Sequence, residues 1–409
     1  MVVQPPSPPP ENFTLSAPNK NVPLNPETAE DKDISTHTDV RRREHGIPAT
    51  LCCPFNVVYI QPDGPGSSDF ARGRFSRVSR AIPAPPSPPL SPRSPSRRTA
   101  TAAAVDADSV DNVTAASCSS LPAPGTLLAV KRPATGTKVE TASLQAEAAV
   151  LSYISARTEL KERREHIVNF YGFMPQQNAL VLDMVDLTLE KYILDEKVCS
   201  AASSSDPVIG LEQWLHLTLS LTKGLEWLHQ EAGVVHGDIK PANVMLRAKK
   251  HIHSSPPSSS LPEDSFPYHA IYADFGSAHI LSLSLDVSSS STFSVGTPAF
   301  TAPELLSLRS PVKCPTKASD VFSLAATLVA AITGDVRLYE ISSTVAMYHM
   351  AQNGHLILDN VRNSYPMRLL PRSMPVQLLK GAVAKSPEDR WTASEWTSLV
   401  QHEISHRPS

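Results

Sequence analysis

Two short segments carry side chains whose types and spacing suit the transfer of a phosphoryl group. VVHGDIKPANVML, residues 234–246, sets Asp238, Lys240 and Asn243 in a D-x-K-x-x-x-N pattern. YADFGSA, residues 272–278, follows after a Ser/Pro tract and adds Asp274. Phosphoryl transfer asks little covalent chemistry of a protein. It needs a cation held against the phosphates, positive charge beside the developing anion, and a carboxylate to orient the attacking hydroxyl. Two carboxylates, a lysine and an amide supply these. The plainer alternative is an amphipathic loop with incidental carboxylates. Two linked motifs at compatible spacing weigh against it.

The segments resemble the catalytic loop and the D-F-G turn of the eukaryotic protein kinase family, serine/threonine type. The resemblance covers roughly residues 68–400, apart from insertions. It implies that Asp238 accepts the substrate hydroxyl's proton and that Lys240 balances charge on the transferred phosphate. It implies Asn243 and Asp274 as hard oxygen ligands for Mg²⁺. Upstream, LLAVKR (127–132) carries Lys131, which in the family binds the α- and β-phosphates of ATP and pairs with a helix glutamate. Glu147, 16 residues on and inside a helical pattern, is the expected partner. Glu140, only nine residues on, leaves too little chain to turn from strand into helix.

The glycine-rich loop matches least well. FARGRFSRV (70–78) offers Ala71, Gly73 and Ser76 at the three glycine positions, with Phe75 and Val78 in place. Glycine permits the closest backbone approach to phosphate, so Ala71 and Ser76 predict weakened ATP affinity. Gly64 and Gly66 in PDGPGSSD read as a turn. Adenine is expected beside LVLDMV (180–185) and Ala129, with Leu182 as gatekeeper and Asp183 to Val185 as the hinge.

Downstream, GTPAFTAPELL (296–306) resembles the end of an activation segment. Thr297 would bridge the catalytic Asp and Lys through its hydroxyl, and Glu304 would pair with Arg390 of SPEDRWTASE. Asp320, in KASDVFSLAATL, would accept hydrogen bonds from the catalytic-loop backbone. One departure stands out. The loop reads His236-Gly237-Asp238, without the arginine that normally meets a phosphorylated activation segment. Ser288 to Ser291, Thr292 and Ser294 read as a solvated hydroxyl run, and Ser87-Pro88, Ser91-Pro92 and Ser94-Pro95 as chance dipeptides or targets of proline-directed kinases.

The elements that must hold these residues form an α+β pattern. FNVVYIQ (55–61), LLAVKR and ALVLDMV (179–185) read as strands. Residues 141–154 read as a helix, and 211–230 as a long one with Leu211, Trp214, Leu215, Leu221, Leu225 and Leu228 near one face. Strands with one helix, then mostly helices, predict two lobes: a small β-rich lobe over about 53–182, a hinge at 183–186 and a larger helical lobe over 187–400. Of 38 prolines in 409 residues, 21 fall before residue 126, so residues 1–52 are expected to be disordered. Low-complexity insertions are expected at 83–125, 200–207 and 247–267, a lengthened helix exit at 155–164, and a tail at 401–409.

A net charge of −3 gives no reason to expect a nucleic-acid partner. Five cysteines at irregular spacing read as reduced thiols in a cytosolic or nuclear protein. There is neither an apolar signal core nor an apolar run of membrane-spanning length, so no membrane partner is expected. The implied partners are ATP, Mg²⁺ and a protein presenting Ser or Thr; the oligomeric state is left open. Two other readings stand beside the enzyme: a pseudokinase scaffold or nucleotide-binding module, suggested by the poor glycine loop and Gly237, and a small-molecule phosphotransferase, which Lys240, Asp320 and Arg390 argue against.

Overall fold

Lys131 lies on β4 (Leu128–Pro133), after the apolar Leu128, Ala129 and Val130, and strand alternation fixes which way it points. The computed structural model describes residues 49–60, 69–73, 75–85, 121–199, 205–249, 266–283, 297–307, 314–339, 341 and 343–407. Residues 1–48, Gly64, Gly66, Ser87 to Ser94 and the hydroxyl run 288–294 lie outside the described residues, as do the greater parts of the tracts 83–125 and 247–267.

Around β4 stands an antiparallel sheet of β1 (Val57–Tyr59), β2 (Asp69–Arg72), β3 (Ser76–Pro83), β5 (Phe170–Met174) and β6 (Ala179–Asp183). The order is β1-β3-β4-β6-β5, with β2 paired to β3. Register sets Val78 opposite Lys131 and Ala129 opposite Leu182. Side chains alternate between faces, so Ala129 and Lys131 share one face and Leu128 and Val130 the other. Leu128 and Val130 join Ala81, Tyr171, Met174, Ala179 and Val181 in a small core covered by Phe55, Val57 and Tyr59.

The folded edge begins earlier than the expected boundary at residue 53. Cys53 N donates to Phe173 O at 2.9 Å and Phe173 N to Leu51 O at 2.8 Å. Gly172 makes room for this: at φ +142°, a Cβ there would lie 2.4 Å from Cys53 N.

Helix α1 (Lys138–Arg157) starts at a capping box between Thr137 and Glu140. It packs Leu144, Ala148 and Leu151 into the main core. The expected loop at 155–164 is instead a break at Thr158 followed by α2 (Leu160–His166). The remainder is mostly helical. α3 spans Leu189–Cys199, and α4 spans Leu211–Gln230 with Trp214, Leu215, Leu221, Leu225 and Leu228 fully buried. Two small two-stranded antiparallel sheets pair β7 (Val234–Val235) with β10 (His279–Ile280) and β8 (Val244–Ala248) with β9 (Tyr268–Tyr272). β8 thus takes in Arg247 and Ala248, the first residues of the expected insertion.

α5 (Pro303–Leu306) carries Glu304, and α6 (Lys317–Thr333) is buried from Ser319 to Thr333. α7 (Thr344–Gln352), α8 (Ile357–Arg362) and α9 (Met374–Gln377) lead to α10 (Ala393–Ser405), which absorbs the first residues of the expected tail. Among the described residues, no helix is long and apolar enough to cross a membrane.

Arg390 ties α5 to α6. Its guanidinium makes a two-pronged pair with Glu304 at 2.7 and 2.8 Å and donates to Ala384 O and Ala318 O. The Arg390 side chain is fully buried. Removing one partner of such a pair strands the other charge. Arg390→Met is therefore expected to cost about 3–5 kcal/mol in urea unfolding. Adding Glu304→Gln should cost less than the two single changes summed.

Candidate active site

A cavity of about 500 Å³ opens between β4, α1 and the loop after β7. Gly73, Ser76, Lys131, Glu147, Asp238, Lys240, Asn243, Asp274 and Thr297 line it together.

At one wall, Lys131 Nζ donates to Glu147 Oε2 and to Asp274 Oδ1, each at 2.7 Å. Burial opposes the lysine's charge, but the carboxylates of Asp274 and Glu147 override it and hold the ammonium well above the usual lysine range. Burial pushes the Glu147 carboxyl up, against the pull of Lys131. Its other oxygen accepts from Phe275 N at 3.2 Å, which joins α1 to the D-F-G turn. Asp274 sits in the left-handed region at φ +63°, uncommon for a residue with a side chain. Lys131 holds its carboxyl down to about 2. Glu140, excluded as partner on sequence grounds, is instead the capping residue of α1, accepting from the N–H groups of Thr135, Gly136 and Thr137.

At the facing wall, the backbone of the loop is fixed from behind. His236 N and Gly237 N donate to the two oxygens of Asp320 at 2.8 and 2.9 Å, and His229 Nε2 lies 3.0 Å from Asp320 Oδ2. Burial works against the Asp320 charge, yet His229 and these N–H groups bring its carboxyl below the ordinary value. Gly237 has φ +79°, and a Cβ there would lie 2.6 Å from Ser277 O. The absence of arginine thus coincides with a backbone that crowds any side chain at this position.

Asp238 Oδ2 accepts from Lys240 Nζ at 2.7 Å and from Asn243 Nδ2 at 3.0 Å. Its Oδ1 carries no hydrogen bond among the described residues. Asn243 Nδ2 also donates to Asp238 O, so its amide nitrogen is used twice and its carbonyl oxygen is the atom left for a cation. Ala273 N donates to Asn243 O at 2.9 Å, which sets Asp274 beside Asn243. The pair offers two oxygens. Among the described residues no cluster of three or more His, Cys, Asp or Glu forms a closed metal cage. That set fits Mg²⁺, which takes one or two protein oxygens and completes its shell with water and phosphate.

Thr297 reaches the cavity wall, but Lys240 and Asp238 bond directly rather than through its hydroxyl; its carbonyl accepts from Phe300 N and Thr301 Oγ1. Of the expected glycine-loop residues, Gly73 and Ser76 line this cavity and Ala71 and Val78 do not, nor do the expected adenine contacts. Ala71 is exposed, Val78 half-buried, and Ala129, Leu182 and Val185 buried on the sheet and its exit. The Asp183 side chain points to other work: it accepts from Tyr171 Oη at 2.6 Å and from Arg247 at 3.2 Å. Burial and Asp183 together push the Tyr171 hydroxyl up to about 12. Ser143, one helical turn before Glu147, and Ser277 also line the cavity and were not singled out by sequence. The i, i+4 spacing from Glu147 was a usable signal for Ser143.

The protein kinase domain family model matches residues 123–404. A probable serine/threonine-protein kinase of Dictyostelium discoideum is 28% identical over 185 residues, 45% of this chain and 25% of its own length. Serine/threonine-protein kinase ssp1 of Schizosaccharomyces pombe is 30% identical over 195 residues, 46% of this chain and 26% of its own. Serine/threonine-protein kinase TAO1-B of Xenopus laevis is 29% identical over 186 residues, 46% of this chain and 15% of its own. The chain spans about a quarter or less of the length of these relatives.

The Lys131–Asp274 attraction stabilises the fold above about pH 4, where an unfolded aspartate is ionised, and is lost as pH falls through about 2. In Lys131→Met the Asp274 midpoint, followed by carboxyl NMR, should rise; a midpoint still near 2 would refute the assignment of its cause. Gly237→Ala should lower stability to urea by about 1–3 kcal/mol, because the strain at φ +79° adds to the contact with Ser277 O.

Proposed function

We propose that this chain, which belongs to the protein kinase family, transfers the γ-phosphate of Mg-ATP to serine or threonine hydroxyls of proteins. The observation that carries the proposal is a single cavity holding Lys131 bonded to Glu147 at 2.7 Å, with Asp238, Lys240, Asn243 and Asp274 around it. Each of these side chains has a task set by its chemistry.

Lys131, steadied by Glu147, presents an ammonium to the α- and β-phosphates. Asp274 and Asn243 would hold Mg²⁺, which neutralises phosphate charge when bound. Asp238 turns a free carboxylate oxygen to the incoming hydroxyl, aligns it for in-line attack and accepts its proton. Lys240, 2.7 Å from Asp238, lies where negative charge gathers on the transferred group. A lysine at this place favours Ser and Thr substrates by the family pattern. The hinge backbone of Asp183 to Val185, with Ala129 and Leu182, would receive adenine, and Ala71, Gly73, Ser76 and Val78 would roof the phosphates.

Cys52, Cys53 and Cys314 are free thiols, in keeping with a reducing compartment, the cytoplasm or nucleus. A second reading, a nucleotide-binding scaffold without transfer, is favoured by Ala71 and Ser76 at glycine positions.

Purified chain should transfer ³²P from Mg-ATP to itself or to generic Ser/Thr substrates. Asp274→Asn and Lys131→Met should each lower transfer at least about 100-fold with the fold retained. Unchanged turnover in either variant would overturn the role given to that residue. Mg-ATP binding without transfer by the unaltered chain would leave the scaffold reading.

A further inference from the structure

The face of the sheet turned away from the active site carries arginines in register. Arg72 stands opposite Arg77, and Arg77 opposite Arg132, across three adjacent strands. Residues directly opposite share a face, and like charges so placed repel. Lys131 precedes Arg132 and points into the active-site cavity, so by alternation this row lies on the other side of the sheet.

Arg77 and Arg132 line a cavity of about 420 Å³ at the end of β3 and β4, beside the Thr135-Gly136 loop, Thr141 and Gln177. None of the described residues lining it is acidic. Arg132 donates to Ser79 Oγ at 2.8 Å and reaches Asp69 only at 4.0 Å. Its guanidinium lies over the Tyr59 ring, 4.6 Å from the centroid, and Tyr59 Oη donates to Gln177 at 2.5 Å. The Nε atoms of Arg77 and Arg132 are buried without a hydrogen-bond partner among the described residues. The N–H groups of the neighbouring loop are taken up by Glu140, so charge here comes from the guanidiniums.

Two facing guanidiniums without a carboxylate in the pocket match a dianion, and their planar forks match phosphate oxygens. We propose that Arg77 and Arg132 form a second, non-catalytic site that binds a phosphate monoester, the side chain of a phosphorylated serine or threonine. The phosphate has two possible sources, this chain or another protein. The segment between β3 and β4 carries Ser91-Pro92 and Ser94-Pro95. From Pro83 back to Arg77 is roughly 20 Å of strand. Eight residues from Pro83 to Ser91 span up to about 26 Å when extended, so the internal source is within reach.

The test uses the full chain after phosphatase treatment and a fluorescent peptide of residues 84–98, either plain or phosphorylated at Ser91 and Ser94. Fluorescence anisotropy should show the phosphopeptide binding at least about 10-fold more tightly than the plain peptide. Arg77→Gln with Arg132→Gln should abolish that difference and leave Mg-ATP binding unchanged. Arg77→Gln alone should not lower the thermal midpoint, because it removes a like-charge contact. Equal affinity for the two peptides, or phosphopeptide binding unchanged in the double variant, would overturn the site. The source follows from chain phosphorylated by a proline-directed kinase. If it refuses the phosphopeptide, and Ser91→Ala with Ser94→Ala restores binding, the ligand is internal. If it binds as before, the ligand belongs to another protein. Either result supports the site.

Discussion

One wall of the candidate active site is arranged around one ammonium between two carboxylates. Lys131 bonds to Glu147 and Asp274 at equal distances of 2.7 Å, yet the two partners differ in kind. The Glu147 side chain is 2% exposed and fixed on a capped helix, whereas that of Asp274 is 47% exposed and faces the cavity. One plus against two minus leaves an excess of negative charge at the cavity wall. Such an excess is tolerated where a cation completes it. The half-exposed carboxylate is the one beside the Asn243 oxygen, so electrostatics and donor chemistry lead to the same position.

The opposite wall depends on a different device. A loop cannot hold Asp238, Lys240 and Asn243 in place by its own bonds alone, since loop backbone must find partners elsewhere. Asp320 supplies them from α6, a helix buried almost throughout its length. An anionic carboxylate there is viable because two N–H groups and His229 surround it. Rigidity passes from the core through Asp320 to the loop backbone and then to Asp238. Arg390 performs a similar service for α5 through Glu304.

How much of this was legible in the sequence follows from the range of the interactions. α4 was readable to its ends because its apolar residues recur at helical period and all but Leu211 of those named are buried. Glu147 was legible because a strand, a turn and a helix need a minimum length of chain, which Glu140 does not allow. The break at Thr158 and helix α2 were missed, since seven of the ten residues of ARTELKERRE are charged and no apolar period runs through it. The pairing of Leu51 with Phe173 depends on Gly172, 121 residues away in sequence, and no local pattern announces it. Asp183 was placed at the hinge by its position, but its side chain is held by Tyr171 and Arg247, contacts that no spacing rule encodes. Gly237 looked like a lost arginine. Its positive φ and the nearness of Ser277 O give that glycine a steric reason of its own.

Strand alternation also explains how consecutive residues serve opposite sides of one sheet. Lys131 faces the inner cavity, and Arg132 faces outward over Tyr59. A group bound outside cannot compete with one bound inside, because the sheet lies between them. The two faces also meet at the turn from β4 into α1. Thr135 and Gly136 line the outer cavity, and their N–H groups hold the carboxylate of Glu140, which lines the inner one. The same Glu140 caps α1, and α1 carries Glu147 to Lys131. The start of α1 thus borders both cavities, as β3 does through Ser76 and Arg77 and β4 through Lys131 and Arg132, and its capping box fixes where the helix that supports Lys131 begins.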